Sequence, residues 1–263
     1  MIFDRLAAAI RADRPAALVT RLDGTGAKLL VFADEAVGDL GTPGLTHAAT
    51  QEARALLAVG ETALRTFGED GEPVGMEVQL FIQAFAPKPN MYIFGAIDFS
   101  RAMARIGKYL GYFVTVIDAR PVFATKARIP DADSIVVAWP DDFLRGAPID
   151  ERTVLIILTH DVKFDIPLLL VALRTPAGYI GAMGSRGTHA NRIRELRRAG
   201  SSDADLARIS APIGLDIGAR TPEETAIAIC AEIIALRENR RGGRLTENEL
   251  PVHNARASVS SAS

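Results

Sequence analysis

Apolar residues recur at two different spacings in the first third of the chain. Helical spacing covers residues 2–10 and 46–59. Strand-like runs begin at Ala16 and Lys28 and also cover residues 61–67 and 76–85. The segment 86–90, Ala-Pro-Lys-Pro-Asn, interrupts both patterns, because proline has no N–H and restricts the residue before it. The pattern predicts a small α/β domain over residues 1–86 that ends at this segment.

From residue 91 onward the pattern alternates between strand and helix. Five apolar runs are nearly continuous, as strands buried on both faces require: 91–94, 113–117, 134–139, 153–159 and 179–183. Residues 101–110 have helical spacing with Gly111 after them, and Thr221-Pro222-Glu223-Glu224 starts a long helix that reaches about residue 238. The predicted fold class is α/β, with a Rossmann-like doubly wound parallel sheet over residues 90–240. The polar segment 241–263 is predicted to be a disordered tail.

Composition narrows the function classes. The formal net charge is -2 and charged residues make up 24%, so there is no basic excess to attract nucleic acid or anionic lipid. The N-terminus lacks a signal-peptide pattern and no apolar run approaches the roughly 18 residues of a membrane span, which predicts a cytoplasmic protein with no membrane partner. The single cysteine, Cys230, lies in an apolar helical pattern, which predicts a buried thiol and no cysteine metal site.

The turn after the run 91–94 has part of a dinucleotide-binding pattern. Such a turn needs a glycine at the bend, a second glycine facing the pyrophosphate and a small third residue, and here these positions hold Gly95, Ile97 and Ser100. The β-branched Ile97 is expected to obstruct a phosphate. Asp118 lies 23 positions after Gly95, close to the spacing of the acid that binds a ribose hydroxyl, whereas Arg120 would suit a 2′-phosphate. The pattern leaves nucleotide binding and a purely structural turn as alternatives.

Polar side chains follow two later strands, where open α/β sheets bind ligands. His160 and Asp161 follow the fourth run as an acid/base or ligand-binding pair, although Asp161 also suits a helix N-cap. Gly184-Ser185-Arg186 follows the fifth run, with Thr188 as the expected cap of the next helix, and forms a candidate anion site. No Ser, His and acid occur in a recognisable catalytic order, so covalent catalysis is not expected.

Longer strings carry a resemblance to a known family. IGAMGSRGTH, RISAPIGLDIGARTPEETAIAICAEIIALR and the LTHD turn resemble the xanthine dehydrogenase accessory factor family, XdhC/CoxI, closely over residues 90–238 and more loosely before them. The resemblance implies a non-catalytic helper that binds molybdenum cofactor (molybdopterin) and delivers it, after sulfuration, to a molybdenum hydroxylase client. It also implies a Rossmann domain that holds NAD(P), and it leaves open a cysteine desulfurase partner and a homodimer.

The candidate cofactor-binding residues combine the motifs and the resemblance, with a ligand cleft expected between the two domains and further donors from the loop 214–220. They are Gly95, Ala96, Asp98, Asp118, Arg120, His160, Asp161, Gly184, Ser185, Arg186 and Gly218. Family members commonly have Gly-Ala-Gly-His at the first turn, where this chain has Gly95-Ala96-Ile97-Asp98. The alternatives are an NAD(P)-dependent oxidoreductase and a divergent paralogue whose ligand differs or has been lost.

Overall fold

A computed structural model describes residues 1–73, 78–159 and 161–247, apart from the side chain of Val162. Within them the chain forms two compact units, the first over Met1–Pro87 and the second from Lys88 to the last described residue, Glu247. No helix of the described residues is both long and apolar enough to cross a bilayer.

The first unit is a five-stranded antiparallel sheet with a helix on each face. Its elements in chain order are α1 (Ile2–Arg11), β1 (Ala16–Arg21), β2 (Lys28–Val31), β3 (Ala36–Gly38), α2 (Pro43–Val59), β4 (Ala63–Phe67) and β5 (Val78–Phe85). The strand order is β3-β2-β1-β5-β4. Successive residues of β1 point to opposite faces, so Val19 packs in the α2 core while Leu18 packs with Leu6 of α1.

Two boundaries in this unit differ from the sequence-based prediction. Helix α2 begins at Pro43, three residues earlier than expected, because the Thr42 hydroxyl accepts a hydrogen bond from the Leu45 N–H and proline fits the first helical turn. Strand β5 begins at Val78, and residues 76–77 of the expected strand lie outside the described residues. The three-residue β3 was not predicted.

The second unit is a six-stranded sheet in which all strands run parallel. Its elements are β6 (Asn90–Phe94), α3 (Asp98–Tyr109), β7 (Phe113–Ile117), β8 (Ser134–Val136), α4 (Pro140–Gly146), β9 (Val154–Ile157), α5 (Val162–Ala172), β10 (Tyr179–Ala182), α6 (Arg186–Arg198), α7 (Asp203–Leu206), β11 (Ile209–Ser210) and α8 (Pro222–Arg237). The order β11-β10-β9-β6-β7-β8 is that of a doubly wound Rossmann sheet. The predicted α/β fold class is therefore confirmed.

Both faces of this sheet are covered, which explains the continuous apolar runs. Ile93 packs toward α3 and α8, whereas its neighbour Phe94 packs toward α5 and α6. Helix α8 is capped by Thr221 and carries the buried thiol of Cys230. Cys230 is 3% exposed, as predicted, and burial raises its pKa to about 12.

Several elements of this unit differ from the expected ones. Helix α3 starts at Asp98 and not at residue 101. Strand β8 ends at Val136 and not at residue 139, and α4 begins at Pro140. Gly111 has φ +89°, as expected of the residue after a helix end. In the predicted tail, Leu245–Glu247 forms one turn of 3₁₀ helix, and the tail beyond residue 247 lies outside the described residues.

Candidate functional site

The sheet of the second unit has its topological switch point between β6 and β9. The chain leaves these neighbouring strands in opposite directions across the sheet, which opens a crevice at their carboxyl ends. A cavity of about 300 Å³ lies there. Its lining residues are Gly95, Ile97, Asp118, Ala119, Arg120, Pro140, Leu158, Thr159, Asp161 and Phe164. This volume is at the lower end of the range for small-molecule sites, about 300 to 1,000 Å³.

The first turn of this crevice connects β6 to α3 through Gly95. Gly95 has φ +103°, and a Cβ on it would lie 3.0 Å from Thr159 Cγ2, so glycine is required both by conformation and by close approach. The Ala96 N–H donates to Asp118 Oδ2 at 2.7 Å, and the Ile97 N–H donates to Ser100 Oγ at 3.2 Å. Both backbone donors are therefore engaged inside the protein.

Asp118 follows β7 and is 4% exposed. Besides the Ala96 N–H, its carboxylate accepts the Arg120 N–H at 2.9 Å and two bonds from the Arg120 guanidinium, at 2.9 and 2.8 Å. Burial is the largest single influence and opposes ionisation, but the hydrogen bonds from Arg120 and Ala96 together outweigh it and lower the pKa of Asp118. A ribose hydroxyl would have to displace one of these donors.

Two charged side chains, Arg120 and Asp98, lie beside the first turn. The Arg120 side chain is half exposed and its guanidinium stacks 4.5 Å from the centre of the Phe123 ring. Asp98, the first residue of α3, is largely exposed, with its Oδ1 3.9 Å from Arg128 Nη2. A carboxylate at this helix start competes with any ligand phosphate for the positive end of the helix dipole.

The end of β9 contributes Asp161, which caps α5. Its Oδ1 accepts the Lys163 N–H at 2.9 Å, so Asp161 is the N-cap of α5, which is one of the two roles considered for it from the sequence. His160, the other residue of the expected pair, lies outside the described residues.

The turn after β10 differs from the first turn in what it exposes. Gly184 has φ +147°, and the hydroxyl of Ser185 caps α6 by accepting the Thr188 N–H at 3.1 Å. The expectation that Thr188 is the cap is wrong, because Thr188 is the third helical residue and supplies the N–H that the cap binds. Arg186 is the first residue of α6, is exposed, and makes no ion pair with any described residue.

The loop after β11 is hydrogen-bonded to a glutamate of α8. Glu232 accepts the Gly214 N–H at 3.0 Å and a hydrogen bond from the Tyr179 hydroxyl. The pKa of Tyr179 is raised, by burial first and by Glu232 second. Gly218, a candidate residue in the same loop, has φ +76° and open space around it. The cavity lining thus includes Gly95, Asp118, Arg120 and Asp161, and it includes neither Gly218 nor the Gly184–Arg186 turn.

Sequence reasoning missed a buried charge pair beneath the strand ends. Arg192 of α6 is 2% exposed, and its Nε donates to Asp165 of α5, itself fully buried, at 2.9 Å. The signal for Arg192 was present, because it shares a helical face with Ile193 and Leu196, both packed in the core. Burial, and then Arg192, lower the pKa of the nearby His189. Among the described residues there is no cluster of three or more His, Cys, Asp or Glu suited to a metal ion.

Comparison with known proteins gives matches in both units. The family model described as the XdhC Rossmann domain matches residues 91–233, and the model described as the XdhC and CoxI family matches residues 9–68.

Two curated relatives and one solved structure extend this comparison. A Bacillus subtilis protein, named as a probable subunit of xanthine dehydrogenase, is 32% identical over 60% of this chain and 46% of its own length. The molybdenum cofactor insertion chaperone PaoD of Escherichia coli is 28% identical over 62% of this chain and 45% of its own. A crystal structure of a protein from Bacillus halodurans, named a xanthine dehydrogenase, has a TM-score of 0.65 and 26% identity, covering 90% of this chain and 64% of its own. The chain spans less than half the length of the two curated relatives.

Proposed function

The chain belongs to the XdhC and CoxI family, and from this premise we propose that it is an accessory protein for a molybdenum hydroxylase such as xanthine dehydrogenase. In this role it binds molybdenum cofactor and aids the sulfuration or insertion of that cofactor. The names of two relatives, a molybdenum cofactor insertion chaperone and a probable subunit of xanthine dehydrogenase, support the proposal. The client enzyme is the proposed partner, and a cysteine desulfurase is the proposed source of sulfur.

The exposed Arg186 is the observation that supports a particular binding site, the turn that precedes α6. Molybdopterin carries a phosphate group, and a helix start leaves its first N–H groups without partners inside the helix. At the start of α6 the N–H groups of Arg186 and Gly187, which precede the capped Thr188 N–H, lie beside the Arg186 side chain, and this side chain has no carboxylate partner among the described residues. An arginine fork and a helix start together suit a phosphate, so we assign the phosphate to the Gly184-Ser185-Arg186 turn.

The first turn fits a phosphate less well. Its Ala96 and Ile97 N–H groups already have acceptors, Ile97 lines the approach, and Asp98 adds a negative charge at the helix start. These features disfavour the pyrophosphate of NAD(P) at this turn. The NAD(P)-dependent oxidoreductase is therefore the weaker alternative, and NADPH serves as the comparison ligand.

Calorimetric titration of the purified protein with molybdopterin tests the proposal. We expect Arg186→Ala to weaken binding by about tenfold to a hundredfold, the equivalent of about 1.5 to 3 kcal/mol for a hydrogen bond to a charged group. Arg186→Lys should weaken it less, because lysine keeps the charge and loses the planar fork.

The matched control is Arg194→Ala, which removes the same charge from the same helix at a residue bonded to Asn191. It should leave the affinity unchanged. Equal affinities for wild type and Arg186→Ala would remove Arg186 from the site. Tight binding of NADPH without binding of molybdopterin would favour the oxidoreductase.

A further inference from the structure

One buried guanidinium connects the ends of β9 and β10. Arg192 Nη1 donates to the Met183 carbonyl at 2.7 Å, and its Nη2 forms an ion pair with Asp165 Oδ2 and lies 3.5 Å from the Thr159 carbonyl. Both charged side chains are 1% exposed. The guanidinium therefore holds the backbone directly before the Gly184 turn and the backbone directly after β9.

The same network reaches the first turn through Thr159. The Thr159 hydroxyl donates to Asp165 Oδ1, so Asp165 accepts from Thr159 on one oxygen and from Arg192 on the other. The Thr159 methyl and N–H lie against Gly95, at 3.0 and 3.3 Å from where a Cβ would stand. On the other side, Arg192 Nη1 lies 3.0 Å from the corresponding position on Gly184. An uninterrupted series of contacts thus joins the Gly95 turn to the Gly184 turn.

The chemistry of the pair suits a positional role. A buried ion pair contributes little net stability compared with well-packed apolar residues, because desolvation of the two charges offsets their attraction. What an arginine adds is direction, since its planar fork fixes several acceptors at once where a lysine makes a point contact. Three acceptors from three segments, Asp165, Met183 and Thr159, meet this fork.

We infer that Arg192 is a positioning residue that, with Asp165 and Thr159, fixes the spacing between the Gly95 turn and the Gly184 turn. As a statement about ligand binding, this inference rests on the proposed function, because the Gly184 turn is the proposed phosphate site. The coupling of the two turns is a property of the protein alone. It is therefore measured without ligand.

Hydrogen exchange of the full chain, followed by mass spectrometry, tests the coupling. In Arg192→Lys, we expect peptides spanning residues 94–100 and 183–190 to exchange about tenfold or more faster, because both turns lose their fixed spacing. The control is Leu196→Ala, which removes a fully buried apolar side chain from the same helix. It should lower the melting temperature without faster exchange of residues 94–100 relative to the rest of the sheet. Faster exchange confined to residues 183–192 in Arg192→Lys, or equal exchange of residues 94–100 in both variants, would overturn the inference.

A milder variant covers the case in which Arg192→Lys does not fold. Thr159→Val removes the hydroxyl that donates to Asp165 and keeps the ion pair and the side-chain shape. We expect faster exchange of residues 94–100 and unchanged exchange of residues 183–190, and no change at residues 94–100 would reject the link.

Molybdopterin titration of the same variants separates the two proposals. If wild type binds, Arg192→Lys should weaken binding by about tenfold while Leu196→Ala leaves it unchanged at a temperature where both are folded. If wild type does not bind molybdopterin, the proposed function fails, and the exchange result still decides the coupling.

Discussion

The turns at Gly95 and Gly184 are built alike but differ in whether their hydrogen-bond donors are available to a ligand. Each follows a buried parallel strand, each needs a glycine with positive φ, and each leads into a helix of 12 or 13 residues. At the first turn, Asp118 and Ser100 accept the N–H groups of the turn. At the second, Ser185 caps the helix through Thr188 and leaves Arg186 exposed and without an ion pair among the described residues. Topology therefore determines where a ligand could bind, and local hydrogen bonding determines which turn has donors to offer.

Replacing the two glycines should give the largest effect and tests the shared part of the comparison. We expect Gly95→Ala and Gly184→Ala each to lower the free energy of unfolding by about 2 to 3 kcal/mol, because an alanine is strained at these φ values and its Cβ crowds Thr159 or Arg192. Chemical denaturation measures the loss. Gly218→Ala is the control, since its φ is also positive but its surroundings are open. A loss at only one turn would mean that the two are not built alike.

Asp118→Asn tests the difference between the turns. We expect it to lower the free energy of unfolding by about 1 to 2 kcal/mol, because the bonds from Arg120 and Ala96 lose a charged acceptor. It should also raise the affinity for NADPH, since the Ala96 N–H exchanges a charged acceptor, which competes with a ligand phosphate, for a weaker neutral one. Denaturation and calorimetric titration measure the two effects, and a variant with reduced NADPH affinity would contradict the view that Asp118 closes this turn.

The pH dependence of that stabilisation follows from the lowered pKa of Asp118. The pKa is lower in the folded protein than the roughly 3.9 of an unfolded chain, so the stabilisation is complete above that value and is lost as the pH falls through the folded pKa. The difference in unfolding free energy between wild type and Asp118→Asn should stay constant from about pH 5 to 7 and shrink below about pH 4. A constant difference down to about pH 3 would assign the stabilisation to another group.

Ile97→Gly should give the smallest effect. Removal of the side chain widens the approach to the first turn, but the Ala96 and Ile97 N–H groups keep their acceptors. We therefore expect a gain in NADPH affinity of a few-fold, below about 1 kcal/mol, measured by fluorescence titration with Ile97→Ala beside it. No gain would mean that the side chain is not the obstacle, and a gain above tenfold would mean that the donors of this turn are available after all.

The sequence predicted the fold well where strands are long and buried on both faces. The run 113–117 coincides with β7, because a nearly continuous apolar run between a glycine and an aspartate leaves few alternatives. Strand β11 has two residues, Ile209 and Ser210, and takes its identity from pairing with β10. Elements this short carry no periodicity, so they could not be predicted from local pattern.

The candidate site was predictable in its location but not in its hydrogen bonds. Strand ends and glycines indicated the two turns. Whether Asp118 faces a ribose or the Ala96 N–H depends on the path of the backbone between β6 and β7, which spacing does not specify. The Arg192–Asp165 pair joins residues 27 positions apart on two helices. Helical position distinguishes Arg192 among the five arginines of α6, but nothing in the local pattern identifies Asp165 as its partner.

The burial of Cys230 bears on the route that sulfur takes. A cysteine accepts sulfur from a donor enzyme as an accessible thiolate, since the thiolate is the nucleophile. Cys230 is 3% exposed and has a pKa of about 12, so at neutral pH it is a protonated and inaccessible thiol, and the sequence has no second cysteine. The one cysteine of the sequence therefore offers no accessible thiolate on which a persulfide would form. Under the proposed function, this burial favours a route in which sulfur passes to the bound cofactor or to a thiol of another protein, with this chain as the scaffold and not the carrier.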